Sequence, residues 1–315
     1  MKTATVALGG NSLIRPEDRG TAEEQFKRIK RTCEKLGDMI SEGYELVLTH
    51  GNGPQVGNIL LQNELASAEV PALPLDVCGA ESQGQIGYMF QQTLGNELSR
   101  RGIDKVISSI ITQVVVDKGD PAFANPTKFI GPYYSEEEAE KKKKERNWII
   151  KETSNGKYRR VVPSPEPQRI VESDIIQDLI FAEKNDYIVI GAGGGGVPVV
   201  EEDGNLKGVE GVIDKDKATA VLASQIQESF LILLTNVERV YLNFGEENEE
   251  SIQEMTAEEA ERYLNEGHFP AGSMGPKIKA SIDFLEKGGE KVLITAPERL
   301  LKALDGKTGT YIYSR

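Results

Sequence analysis

The sequence is poor in cysteine and histidine, with two of each among 315 residues. Cys33 and Cys78 lie far apart and form no CxxC pair, which argues against a disulfide framework and against a zinc knuckle. We therefore expect free thiols in a reducing compartment and a cytoplasmic protein. The N-terminal run MKTATVALGG is too short for a signal peptide core or a bilayer span, so no membrane association is expected.

Positive charge is also in deficit, and the formal net charge is -13. Long-range repulsion would oppose the approach of nucleic acid or an anionic membrane, so neither is expected as a main partner. A polyanionic ligand would have to meet locally arranged lysines. The hydrophobic share of 38% is enough for the core of one large α/β domain or of two smaller ones.

Short apolar runs alternate with helical patterns along most of the chain. A capping box, Thr21 with Glu24, predicts the start of the first helix, and apolar residues follow it at helical spacing. This alternation predicts an α/β fold, an open and mostly parallel sheet sandwiched between helices. The apolar or β-branched runs fall at residues 3–8, 44–49, 106–116, 187–190, 230–234 and 292–294.

Two segments interrupt the alternation. Residues 118–167 are rich in proline and charge, which predicts a small protruding subdomain or lid. Residues 197–212 alternate around an Asp-Gly-Asn turn, which predicts a β-hairpin. We divide the chain into an acceptor lobe, residues 1–212, which includes the subdomain, and a nucleotide lobe, residues 213–315.

Four glycine-rich or lysine-bearing loops are the candidates for a binding site, and their sequences are ALGGN, THGNGPQVG, GAGGGGVPV and AGSMGPK. A tight turn is sufficient to explain any one glycine pair. The turns that follow parallel strands meet at one edge of a sheet, however, where backbone amides and helix N-termini bind anions. Several such turns in one chain therefore favour an anionic ligand.

Two apparent motifs fail on their context. Gly191, Gly193 and Gly196 match GxGxxG, but the residues that follow, VPVV, cannot open the helix that a dinucleotide site requires. Gly306 and Lys307 resemble the end of a P-loop, but an apparent strand follows instead of a helix. We interpret both as turns.

Lys215 and Lys277 each lie at the expected start of a helix, the end that favours anions. Either lysine alone is more simply a solvated surface residue. Asp216 has two possible roles, as the N-cap of its helix or as the partner that holds the lysines in place.

In this order, ALGGN, THGNGPQVG, DPAFANPTK, RRVVPSP, GGGGVPV, VIDKDKA and GHFPAGSMGPK resemble the carbamate kinases of the amino acid kinase superfamily. The resemblance covers essentially the whole chain. It implies an open sheet between helices, a protruding subdomain over the site and a homodimer. It also implies reversible phosphoryl transfer from ATP to carbamate, giving ADP and carbamoyl phosphate, with Mg2+ held mainly by the nucleotide phosphates and water.

The resemblance assigns roles to individual residues. The carbamate and phosphoryl site would be lined by Gly9, Gly10, Asn11, Gly51, Asn52 and Gly53, with Lys128 reaching in from the subdomain. The nucleotide would be bound by Asp214, Lys215, Tyr241, Met274 and Lys277, and Asp216 would position the lysines. The catalytic set is therefore Lys128, Lys215, Asp216 and Lys277.

The chemistry suits this composition. Carbamate attacks through an oxygen that is already anionic, so phosphoryl transfer needs positioning and positive charge but no general base. We accordingly interpret His50 and His268 as structural. Alternatives remain: another acid kinase of the superfamily, a carbamate kinase-like enzyme that makes carbamoyl phosphate, or a non-catalytic nucleotide sensor. A further alternative, a nicotinamide-dependent dehydrogenase, is supported only by the GxGxxG match.

Overall fold

The computed structural model describes residues 2–10, 13–14, 18–153, 156–182, 186–270 and 272–314. Its helices are α1 (Ala22–Ser41), α2 (Gly53–Ala66), α3 (Leu75–Arg100), α4 (Pro121–Ala124), α5 (Glu136–Arg146), α6 (Ser173–Ile180), α7 (Lys215–Gln225), α8 (Ala257–Asn265), α9 (Met274–Glu286) and α10 (Leu300–Leu304). Its strands are β1 (Lys2–Leu8), β2 (Tyr44–His50), β3 (Val106–Ser109), β4 (Gln113–Val116), β5 (Lys128–Tyr134), β6 (Ile150–Glu152), β7 (Tyr158–Val162), β8 (Pro167–Ile170), β9 (Tyr187–Ile190), β10 (Val197–Glu202), β11 (Asn205–Gly208), β12 (Phe230–Leu234), β13 (Val240–Leu242), β14 (Glu250–Ile252), β15 (Glu254–Thr256), β16 (Lys291–Thr295) and β17 (Thr310–Tyr313).

The large sheet has the strand order β15-β17-β16-β12-β1-β2-β9-β3. Its pairings are parallel except for β16 with β17, which run antiparallel. Alternate residues of β1 enter different cores: Val6 packs among residues of α1 and α3, and Ala7 among residues of α7 and α9. The sheet is therefore covered by helices on both faces, and the predicted fold class is confirmed.

Helix α1 begins where its sequence predicts. The Thr21 hydroxyl accepts a hydrogen bond from the Glu24 amide, and the Glu24 carboxylate accepts one from the Thr21 amide. This reciprocal pair satisfies two backbone donors that the first helical turn leaves free. One face of the helix, including Ile29, Leu36 and Ile40, then packs into the core.

The β-branched run at 106–116 does not form one strand. It divides into β3, at the edge of the large sheet, and β4, in a second sheet of order β11-β10-β4-β8. Between them the backbone of Thr112 is held by Gln83 of α3, whose side-chain amide bonds both the N–H and the C=O of Thr112. The sequence run alone showed no turn residue at this position, so the division was not predicted.

The remaining local predictions are confirmed. Strands β10 and β11 form an antiparallel hairpin, and its turn residues Asp203 and Gly204 have φ values of 50° and 76°. Strand β10, not a helix, follows the GxGxxG segment, and β17 follows the P-loop-like turn. Both motif rejections therefore hold.

A small sheet, β5-β7-β6, is separate from the other three sheets, the third of which is the pair β13-β14, and it carries α5. Its own core contains Tyr134, Ala139 and Ile150, with Trp148 and Tyr158 packed against it. This is the protruding subdomain of the predicted fold class. Its limits at 118 and 167, and the division of the chain into two lobes at residue 212, stay predictions.

Helix α5 is solvated and carries ion pairs along its surface. Lys143 lies 2.7 Å from the Glu140 carboxylate, and Lys141 lies 4.0 Å from that of Glu145. Lys142 differs, because it faces the body of the protein and pairs with Glu64 of α2. The subdomain is thus attached to α2 through an ion pair.

Both thiols are free and buried. Burial raises the pKa of Cys33 far above its usual range and that of Cys78 to about 11, so neither is a reactive thiolate at neutral pH. Within the described ranges, the helices contain no stretch that is both long and apolar enough to cross a bilayer.

Candidate active site

The turns that follow β1 and β2 meet at the carboxyl edge of the large sheet. The Leu8 carbonyl, at the end of β1, accepts hydrogen bonds from the Gly51 amide and from Lys215 Nζ, both at 3.2 Å. A Cβ on Gly51 would lie 3.9 Å from the Gly10 amide nitrogen. The first two glycine turns and one of the predicted lysines are therefore neighbours. Asn11 lies outside the described residues.

The glycine run after β9 packs against the same turns. A Cβ on Gly194 would lie 2.2 Å from Asn52 Nδ2, and one on Gly195 would lie 2.4 Å from the Ile213 carbonyl oxygen. Both glycines have positive φ, at 67° and 92°. Only glycine accommodates this backbone at this approach, so the run brings β9 next to Asn52 and to the entrance of α7.

Helix α2 points its N-terminus into a cavity of about 540 Å³. Gly51, Asn52 and Gly53 line that cavity. Asn52 directs its side chain to Ser82 Oγ, at 2.8 Å, and this hydrogen bond fixes the wall of the cavity. Backbone amides at the start of a helix and the helix dipole both favour an anion at this position.

Asp216 joins the two lysines that the sequence singled out. Its Oδ2 accepts a hydrogen bond from Lys277 Nζ at 2.9 Å, and its Oδ1 lies 3.0 Å from Lys215 Nζ in an ion pair. All three side chains are largely buried. Burial alone would raise the pKa of Asp216, but the two ammonium groups hold it down, to about 2. The cluster therefore carries a net charge of +1.

The N-cap of α7 is Asp214, so the N-cap role considered for Asp216 is wrong. Asp214 has extended backbone angles and its Oδ1 accepts hydrogen bonds from the amides of Asp216 and Lys217, at 3.0 and 3.4 Å. Asp216 lies two residues later, inside the helix. Its side chain is thereby left to hold the lysines.

Asp214 also reaches the subdomain. Its Oδ2 accepts a hydrogen bond from Lys128 Nζ at 3.2 Å, and Lys128 is the first residue of β5. The Lys128 side chain is 45% exposed and lines the same 540 Å³ cavity as Lys215 and Asp216. A lysine that is 87 residues away from Lys215 in sequence is thus brought to the same cavity.

A smaller cavity, of about 170 Å³, lies on the Lys277 side of the ion-pair cluster. Tyr241, Phe244 and Met274 line it, and Lys277 stands at its border. Tyr241 and Phe244 have ring centroids 5.7 Å apart. Because Lys277 also binds Asp216, the ion-pair cluster lies between the aromatic pocket and the 540 Å³ cavity.

The two histidines are held by hydrogen bonds. His50 Nδ1 donates to the Gly51 carbonyl at 3.0 Å, and burial lowers the pKa of His50 to about 4, so its ring is neutral near pH 7. His268 bonds Asn243 at 2.9 Å and Glu266 at 3.2 Å. A neutral, buried ring and a surface ring bonded to two side chains fit the structural roles predicted for them.

Arg159 was not among the predicted site residues, although it lines the larger cavity. Its Nε and Nη2 both donate to the Gly131 carbonyl, at 3.1 and 2.9 Å. Gly131 has a φ of 69° and lies within an irregularity of β5. The motif RRVVPSP contained this arginine, but which of two adjacent arginines faces the site depends on strand orientation, which the sequence alone did not give.

Metal-ligating side chains are scarce here. The described part of the chain contains no group of three or more His, Cys, Asp or Glu side chains placed to hold a metal ion. The one buried carboxylate between the cavities, Asp216, is already paired with two ammonium groups. A divalent cation at this site would therefore need most of its ligands from a bound phosphate chain and from water.

An aromatic pocket, an internal cluster of lysines and a helix N-terminus in one cleft are the features of a site for phosphoryl transfer from a nucleotide. The sequence model described as the amino acid kinase family matches residues 2–296, and the chain belongs to that family.

Within the family, the chain is similar to carbamate kinases over nearly its full length. The chain is 48% identical to the carbamate kinase of Thermococcus kodakarensis, with 99% of each chain covered. It is 49% identical to that of Pyrococcus furiosus, again with 99% of each covered. Among solved structures, the carbamate kinase of Giardia lamblia bound to AMP-PNP is 40% identical, covers 99% of this chain and 98% of its own, and superposes with a TM-score of 0.93. The carbamate kinase interpretation of the sequence is thereby confirmed.

Proposed function

We propose that this site transfers a phosphoryl group between ATP and carbamate, and that the reaction is carried by three lysines and the backbone amides around them. The observation that carries the proposal is the Lys215–Asp216–Lys277 cluster between the two cavities. The substrate assignment is supported by the 48% and 49% identity to two carbamate kinases, each over 99% of this chain.

The nucleotide would lie across the two cavities. The 170 Å³ pocket lined by Tyr241 and Met274 suits the adenine, since stacked or edge-on aromatic contacts favour a planar ring. The phosphates would then run past Lys277 towards Lys215. Asp216 holds both ammonium groups at fixed positions before substrate arrives, so little reorganisation is needed when negative charge develops.

The acceptor would lie in the 540 Å³ cavity, against Gly51, Asn52 and Gly53. The α2 N-terminus favours the anionic carbamate there. Lys128 approaches from the opposite side, from the subdomain, and places a third positive charge where the phosphoryl group is exchanged. Gly9 and Gly10 would complete the wall from the end of β1.

Mg2+ is proposed as the companion of the nucleotide. Its ligands would be phosphate oxygens and water, because the described side chains offer no carboxylate set of their own. When bound, the ion neutralises phosphate charge that the lysines do not reach. No protein group needs to remove a proton, since the attacking carbamate oxygen is already an anion.

The direct experiment supplies purified protein with ADP, Mg2+ and carbamoyl phosphate and measures ATP. We expect ATP from carbamoyl phosphate and far less from acetyl phosphate, and we expect Lys128→Ala to lower the rate strongly. The exposed Lys141→Ala serves as the matched control from the same subdomain. Absence of ATP from carbamoyl phosphate, with folded protein, would exclude carbamate kinase activity and leave another acid as the acceptor.

A homodimer and a cytoplasmic location are also proposed. The homodimer follows from the resemblance to carbamate kinases, and sedimentation equilibrium of the purified chain tests it. The two free, buried thiols support a reducing compartment. Fractionation of the native cells tests the location.

A further inference from the structure

We propose that a second cavity, behind the active site, binds a small zwitterion of the free α-amino acid class. This rear cavity has a volume of about 710 Å³ and lies between α2, the segment before α3, the subdomain strands and the turn after β11. Among its lining residues are Glu64, Asp76, Arg146, Trp148, Arg160 and Glu210. Its volume is within the range of small-molecule sites, roughly 300–1,000 Å³.

Arg160 is the main recognition group of the rear cavity. Its side chain is only 11% exposed, and its guanidinium lies 4.3 Å above the Trp148 ring. Its carboxylate partner is Glu210, which is 56% exposed. Burial lowers the pKa of Arg160 to about 10, so it remains a cation near pH 7. A hydrated surface carboxylate is a partner that a ligand carboxylate can replace at small cost.

The charged residues that line the rear cavity favour a zwitterionic ligand. Glu64 is neutralised by Lys142, which leaves Arg146 and Arg160 as cations and Asp76 and Glu210 as anions. A phosphate dianion would meet the two carboxylates, and an uncharged ligand would satisfy neither sign. An α-amino acid would place its carboxylate on Arg160 and release Glu210 to pair with its ammonium group, so that one ion pair becomes two.

The rear cavity and the active-site cavity share one wall. Ile130, Gly131 and Pro132 line both of them, and they belong to the strand that begins at Lys128. On β7, adjacent side chains point to opposite faces, so Arg159 lines the active-site cavity and Arg160 the rear one. A ligand in the rear cavity would therefore press on the strand that positions Lys128, and we expect it to change the KM for carbamoyl phosphate.

Calorimetric titration of the full chain with single α-amino acids tests the proposal without using turnover. Each amino acid is compared with the amine and the carboxylic acid that lack one of its charged groups. We expect millimolar or tighter binding of at least one amino acid and no detectable binding of its two analogues. Arg160→Met should weaken binding by about tenfold or more, because a charge-assisted hydrogen bond is lost.

Glu210→Gln is the second variant, and it is suited to the test because Glu210 is exposed and its loss should leave the fold intact. We expect it to bind the amino acid no better than the deaminated acid. Glu201→Gln, an exposed carboxylate on β10, is the matched control and should bind like the wild type. Absence of binding by any amino acid, equal binding of the single-charge analogues to the wild type, or unchanged affinity in Glu210→Gln would each overturn the proposal. ATP formation by the wild type, measured in parallel, is independent of all three results.

Discussion

At the scale of single residues, two neighbouring acidic side chains have different roles in the proposed site. Asp214 caps α7 and contacts Lys128. Asp216, only two residues later, is buried between Lys215 and Lys277. The sequence predicted that Asp216 would lie near lysines, but it could not separate capping from pairing. That distinction depends on where the helix begins, and helix boundaries are uncertain from sequence by a residue or two.

Lys277 should be essential because its ammonium stands between the aromatic pocket and the Asp216 carboxylate. We expect Lys277→Ala to lower kcat/KM for ADP by roughly 100- to 1,000-fold, the usual effect of removing one fixed group from a charged transition state. Steady-state kinetics measure it. Lys279→Ala, an exposed lysine on the same helix, is the control and should keep wild-type kinetics. Equal rates in both variants would remove Lys277 from the mechanism.

Because burial lowers the pKa of His50, we predict that the free energy of unfolding depends on pH. Its pKa is about 4 in the folded protein, against an ordinary value of 6.5, so the unfolded chain binds an additional proton between these values. Stability is therefore fully present above about pH 6.5 and falls as the pH drops towards 4, by up to about 3 kcal/mol. Urea unfolding at pH 7 and pH 5 measures the difference.

The variant His50→Asn isolates this contribution, because an asparagine amide can still donate to the Gly51 carbonyl but cannot take up a proton. We expect the free energy of unfolding of this variant to change less between pH 7 and pH 5 than that of the wild type. An identical pH dependence in the two proteins would show that His50 is not responsible.

At the scale of elements, the order of strands, turns and helices was predictable, and the assignment of strands to sheets was not. The parallel strands could be recognised because they are short apolar runs, and glycine turns follow three of them, β1, β2 and β9. The run at 106–116 looked continuous, but Gln83 of α3 holds Thr112 in a connection between two sheets. Such a break is set by a side chain distant in sequence, which a local pattern does not reveal.

The glycine run after β9 gives a prediction at this scale. Gly194→Ala would place a Cβ 2.2 Å from Asn52 Nδ2 and should displace Asn52 from the acceptor site. Gly204→Ala, in the β10–β11 turn, has a similar positive φ but open space around it. Each should lose about 1 kcal/mol of stability from backbone strain. Only Gly194→Ala should also lower kcat/KM for carbamoyl phosphate, by about tenfold or more. Thermal unfolding and kinetics together separate the two effects.

At the scale of the whole molecule, the site exists only because distant segments meet. Lys128 comes from the subdomain, Gly51 and Asn52 from the start of α2, and Lys215 from the start of α7, all around one cavity. A parallel sheet brings the turns together at its carboxyl edge, and that much followed from the sequence. The position of the subdomain over this edge came from the resemblance to carbamate kinases, because charge and proline content predict an insertion but not its direction.

In the proposed binding mode, a nucleotide lies across the two cavities with its terminal phosphate among the three lysines. A crystal structure of this protein with Mg2+ and a non-hydrolysable ATP analogue tests that claim directly. We predict the adenine between Tyr241 and Met274, and terminal phosphate oxygens about 3 Å from the ammonium groups of Lys215 and Lys277. Electron density for the phosphates away from the Lys215–Asp216–Lys277 cluster would contradict the account.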